Sequence, residues 1–159
     1  MKTDDTLWNF ALELYAKPGV ETACLGWQDA GGDVCLLLAG AWLQQRNTAF
    51  SDTRLDDLER ISNSWHEQVV VPTRALRNAW RASAQNDPAL HALRERLKRI
   101  ELDAEQVQLH RLQAAVEDWP PATGEADWIE RIGVRLGRDD TLGPLTTLRG
   151  ALGDQPAVV

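Results

Sequence analysis

Ten consecutive residues, Val34–Leu43 (Val-Cys-Leu-Leu-Leu-Ala-Gly-Ala-Trp-Leu), carry no charge, in a chain that is 26% charged. A helix that meets water on one side shows polar residues every three or four positions. This run shows none, so a helix here must be covered by protein on every side. At ~1.5 Å per residue it is ~15 Å long, too short for a bilayer core of ~30 Å. The fold predicted around it is all-α: a single compact bundle of about six helices packed on a buried central helix over residues 34–43.

The length of 159 residues suits one domain with a real core. An apolar content of 43% with seven tryptophans opposes disorder. The net charge of −7 gives no general attraction to nucleic acid or anionic lipid. The opening Met-Lys-Thr-Asp-Asp-Thr has two acids and no apolar run of the signal-peptide kind. The expected setting is the cytoplasm, with no membrane contact. Cys24 and Cys35 fall at different levels of a helical hairpin turning at Gly31-Gly32, which predicts two buried thiols rather than a bridge.

The first helix is expected to be capped near Asp4 or Asp5, with Leu7, Trp8, Ala11, Leu14 and Tyr15 inward and Pro18-Gly19 ending it. A second, Val20–Ala30, stops at Gly31-Gly32, and Asp33 is placed to cap the central helix. Ser51 or Asp52 caps a fourth, whose buried face is Leu55, Leu58, Ile61, Trp65 and Val69, and Pro72 closes or kinks it. The fifth, Thr73–Ala84, presents Leu76, Ala79 and Trp80 on one side and Arg74, Arg77 and Arg81 on the other. Asn86-Asp87-Pro88 starts a long sixth helix running towards Trp119, unbroken by Gly or Pro. Leu90, Leu93, Leu97, Ile100, Ala104 and Val107 repeat along it at spacings of three and four. The chain divides into a helical domain over 1–120 and a weaker C-terminal appendix over 121–159. The appendix holds six of the eleven glycines and two short helical patterns, Trp128–Leu136 and Pro144–Leu152.

Signatures for phosphate loops, dinucleotide binding, nucleophile elbows and Cys-x-x-Cys chemistry are missing. Three constellations remain. Asp29 and Asp33, four residues apart, have the spacing to hold a hard cation, although Asp33 is equally suited to helix capping. Glu101 and Glu105 share a face of the long helix, where they either join Asp29 and Asp33 in a Mg-type site or stay solvated, with Glu101 paired to Lys98. Between Arg74 and Arg99 seven basic residues stand against two acids, a local balance of +5, whereas the remaining ten basic and twenty-two acidic residues give −12. Such a hairpin, with Arg74, Arg77, Arg81, Arg94 and Lys98 as its contact residues, either receives an acidic partner or neutralises acids of its own molecule. No aromatic alternates with these basic residues as base stacking would require, so RNA is the less favoured partner. Trp8, Trp27, Trp42, Trp65 and Trp80 all fall on apolar faces, which predicts core packing.

Several blocks together resemble a proteobacterial family of small conserved proteins built on a domain of unknown function. They are Leu7-Trp8-x-Phe10-Ala11, Tyr15-Ala16-x-Pro18-Gly19-Val20, Cys24-Leu25, Gln28-Asp29, Gly32-Asp33-Val34, Leu37-Leu38 and Glu101-Leu102-x-Ala104-Glu105-Gln106. The resemblance covers about the first 120 residues, and Gly26-Trp27 and Cys35 depart from the family's commoner residues. It implies an all-helical cytoplasmic protein and brings no activity with it.

The leading reading is a non-enzymatic module that binds an acidic protein through the basic hairpin, without a cofactor. The alternative is a ligand-binding or enzymatic site with Mg²⁺ at Asp29, Asp33, Glu101 and Glu105. A homodimer using the surplus apolar face of the sixth helix is a third possibility.

Overall fold

The computed structural model describes residues 6–119, 124–136 and 142–153. Among the described residues the regular elements are helices, and no strand occurs. Helix α1 spans Leu7–Tyr15, α2 Val20–Asp29 and α3 Val34–Gln45. Helix α4 (Asp52–Trp65) continues through a π-helical turn, His66–Val70, into α5 (Val71–Ala79), and α6 (Arg81–Ala84) is a single turn. The long helix α7 spans Pro88–Val116, followed by α8 (Trp128–Arg135) and α9 (Leu142–Gly153).

Helix α3 is the hub the apolar run requires. Every residue from Cys35 to Leu43 is buried. The helices α1, α2, α4, α7, α8 and α9 all pack against it. Asp33 caps it, its Oδ1 accepting from the backbone N–H groups of Cys35 (3.1 Å) and Leu36 (3.3 Å). These bonds satisfy two donors that a helix start leaves open. At Gly40 an added Cβ would lie 2.4 Å from Ile132 Cδ1, so the missing side chain is what lets α8 cross α3 closely.

The remaining boundaries follow local chemistry. Thr6 caps α1, accepting from Asn9 N at 3.1 Å. The cap expected at Asp4 or Asp5 lies outside the described residues. Ser51 caps α4, and Asp87 caps α7 with Pro88 in its first turn. The long helix runs without interruption to Val116, three residues short of Trp119. Pro72 does not end the helix before it. Proline lacks an N–H and crowds the carbonyl four residues back. The wider π turn takes up that mismatch, and the Thr73 hydroxyl donates to Val69 O at 2.6 Å.

Residues beyond 121 take part in the core. Trp128, Ile129 and Ile132 of α8 and Leu145, Leu148 and Ala151 of α9 belong to the same buried cluster as Leu7, Leu14 and Leu37. Trp128 Nε1 donates to Thr48 O at 2.7 Å, and Gln44 Oε1 accepts from Ile129 N at 3.0 Å at the start of α8. Both cysteines are buried free thiols. No helix among the described residues is long and apolar enough to cross a membrane.

Candidate functional site

Helix α5 is amphipathic, and it is turned the opposite way from the usual rule. Leu76 is 43% exposed, and no residue of α5 is fully buried. Arg74 and Arg77, one turn apart, point inward to α7. Arg74 Nε donates to Glu101 Oε1 at 2.8 Å, and its Nη2 donates to Glu105 Oε1 at 3.0 Å. Arg77 donates through Nε to Glu101 Oε2 and through Nη2 to Glu101 Oε1. Glu101 is 8% exposed, so these charge-assisted bonds are what make its ionised form tolerable there. Burial raises its pKa, but the bonds from Arg77 and Arg74 outweigh that and hold the carboxyl below the usual range. At Glu105 burial wins over Arg74 and pushes the carboxyl up.

Part of the basic segment is therefore turned inward, through Arg74, Arg77 and Arg94, while Arg81, Arg96, Lys98 and Arg99 stay exposed. Arg94 Nε donates to Arg77 O at 2.9 Å, which ties the start of α7 to the end of α5. Lys98 pairs with Glu95 at 2.9 Å, not with Glu101. That corrects the expected Lys98–Glu101 contact, because the face of α7 that carries Glu101 is covered by α5. Arg81 lies on the surface. Of the four carboxylates expected at a Mg-type site, Asp29 is exposed and Asp33 is spent on capping and buried bonds. Glu101 and Glu105 do come together, with two guanidinium groups as their counter-ions. Among the described residues no group of three or more His, Cys, Asp or Glu is arranged to hold a metal ion.

Beside this cluster a cleft of about 370 Å³ opens between α1, α2, α3 and α7. Its walls are apolar, with Trp8, Leu12, Leu25, Leu38 and Leu102 prominent. Its charged end is made by Arg77, Lys98, Glu101 and Glu105, with the Gln28 amide nearby. Leu12, Leu25 and Leu102 are each more than two-fifths exposed, so the apolar lining reaches solvent. A concave, mostly apolar site with a few polar groups at one end is the usual form of a binding pocket. Tyr15 lines it with a hydroxyl whose pKa is pushed to about 12, by burial first and then by Cys24, Glu21 and Glu105. Burial also raises the Cys24 thiol to about 12 and the Cys35 thiol well above its ordinary value. Both sulfurs stay protonated and poorly nucleophilic near neutral pH.

A second polar group lies behind the cleft. Asp33 accepts from the Ser62 hydroxyl and from Gln108 Nε2 (2.9 and 3.0 Å), while Gln108 Nε2 also lies 2.8 Å from Ser62 Oγ. His66 Nδ1 stands 3.8 Å from Asp33 Oδ1, at the start of the π turn. Ser62 and Gln108 were not legible as partners of Asp33. The available signal was a polar residue on an apolar face: Ser62 follows Leu55 and Leu58 at helical spacing, and Gln108 follows Ala104.

A family model described as a protein of unknown function (DUF2390) matches residues 6–112. The chain belongs to this family. The DUF2390 region contains every residue that lines the cleft and the whole Arg–Glu cluster beside it. Helices α8 and α9, which complete the core, lie beyond the match. Neither a curated protein nor a solved structure matches the chain.

Proposed function

We propose that this protein is a non-enzymatic interaction module, and that its working surface is the cleft between α1, α2, α3 and α7. The occupant is a segment of a protein partner that places apolar side chains between Trp8 and Leu102 and an acidic residue near Lys98. One observation carries the reading: an apolar cleft of about 370 Å³ whose lining leucines reach solvent and whose far end is charged. Apolar burial in the cleft supplies affinity, and the charged end sets orientation. The inward turn of Arg74 and Arg77 moves the reading away from the hairpin surface, since those guanidinium groups already have carboxylates. Two protonated, buried thiols accord with a cytoplasmic setting.

The test is selection of displayed peptides on the folded protein, with Leu12→Asp and Leu102→Asp as counter-targets. Both positions are exposed, so the variants are expected to fold. The reading predicts enriched peptides with Leu, Ile or Phe beside an acid, lost on both variants and quenching Trp8 fluorescence. Peptides that bind the variants as well as the parent would contradict it.

A further inference from the structure

The alternating spacing on α7 has two fates. Leu90 and Leu97 are half-buried and Ala104 is buried, against the body of the molecule. The intervening residues are not covered: Leu93 is 49% exposed, Ile100 53% and Val107 37%. These three are seven residues apart. On a helix of 3.6 residues per turn they form one apolar row, ~21 Å long. An exposed apolar row repeating every seven residues along a 29-residue helix gives a second helix a continuous strip to pack on.

The charges beside the row say what pairs with it. Arg96 and Asp103 each follow a row residue by three positions, so both lie along the same edge. Arg96 stands four residues before Ile100 and Asp103 three after it. Let a second copy lie antiparallel, with Ile100 against Ile100. Leu93 then meets Val107 of the other copy, and Arg96 meets its Asp103. The two-fold axis makes each contact twice. A parallel two-fold arrangement puts the two copies of this edge on opposite sides of the seam, so Arg96 and Asp103 gain no partner there. Among the described residues Arg96 makes no ion pair, and Asp103 has only an exposed surface contact with Arg99 at 3.3 Å. Such surface pairs rearrange at little cost.

We propose that a second copy of this chain covers the Leu93–Ile100–Val107 row, giving an antiparallel α7–α7 homodimer. The cleft residues Lys98 and Leu102 lie about 160° around the helix from Ile100, at ~100° per residue, so dimerisation leaves both clefts open. The inference therefore stands or falls independently of what the cleft binds.

The test is size-exclusion chromatography with light scattering, and sedimentation equilibrium, on the full chain. The expected mass is twice 17.7 kDa at micromolar concentration. Ile100→Asp is expected to give the monomer mass with unchanged helical circular dichroism. Arg96→Asp and Asp103→Arg are each expected to weaken the dimer by about tenfold or more, since two symmetric pairs change sign together. The combined R96D/D103R chain is expected to recover the parent affinity. A monomeric parent, a dimer indifferent to Ile100→Asp, or a charge-reversed double variant that stays as weak as the single ones would each overturn the proposal.

Discussion

Arg77 and Glu101, 24 residues apart in sequence, meet across the interface of α5 and α7, with Nε of one donating to Oε2 of the other. Arg74 binds the second carboxylate oxygen of the same residue at 2.8 Å. A single buried carboxylate thus anchors two arginines and fixes the roll of α5, so that its polar side faces in and Leu76 faces out. That roll puts Arg77 at the end of the cleft instead of on an open basic surface.

Glu101→Gln should be strongly destabilising. It leaves the largely buried Arg77 guanidinium without a counter-ion and Arg74 with Glu105 alone, a loss of about 3 kcal/mol. Glu95→Gln breaks only the half-exposed pair with Lys98 and should leave stability close to that of the parent. Urea denaturation of both variants gives the comparison directly.

The two glutamates should respond to pH with opposite signs. For Glu101 the folded pKa lies below the ordinary 4.5, so its contribution is present above that value and is lost as pH falls through the depressed one. For Glu105 the folded pKa lies above 4.5, so its contribution is present below that value and is lost as pH rises through the raised one. Relative to the parent, Glu105→Gln should therefore gain stability as pH rises from 4.5 towards neutrality. The deficit of Glu101→Gln should shrink as pH falls below 4.5. Thermal melts across that range read both slopes.

The hub and the caps were legible because they depend on short-range chemistry. Ten residues without a charge have one way to be a helix in water, and Asp33, Ser51 and Asp87-Pro88 cap where their side chains reach. The all-α class followed from the same signals. The roll of α5 was not legible: Leu76, Ala79 and Trp80 make a plausible buried side until the position of Glu101 on α7 is known. The cleft was hidden for a related reason. Its lining comes from five helices, and Leu12, Leu25 and Leu102 read as ordinary apolar positions until packing leaves them at a mouth. Glu101 and Glu105 were recognised as a pair, but their counter-ions come from α5 rather than from Asp29 and Asp33.

Asp33→Ala should cost about 3 kcal/mol, of which about 1 is the lost cap and the rest the buried bonds from Ser62 and Gln108, which are left with only each other. Asp33→Asn keeps an acceptor at the cap and should lose clearly less. Equal losses for the two substitutions, measured by thermal denaturation, would contradict the share assigned to the cap.

Two glycines should separate cleanly. At Gly32 an added Cβ would sit 2.2 Å from Trp27 Nε1, against a rigid indole in the core, so Gly32→Ala should destabilise by about 1–3 kcal/mol. At Gly150 no atom lies within 4 Å of the new Cβ, so Gly150→Ala should stabilise α9 by about 0.5–1 kcal/mol. Denaturant midpoints of the two variants should move in opposite directions.

The most direct test of the inward arginine cluster is a double-mutant cycle on Arg77→Ala and Glu101→Ala, followed by urea denaturation. The account predicts a coupling of about 2 kcal/mol, because the two residues pair directly in a largely buried contact. A coupling near zero would mean that Arg77 is solvated after all and that α5 presents its basic side outward, restoring the open basic surface in place of the cleft.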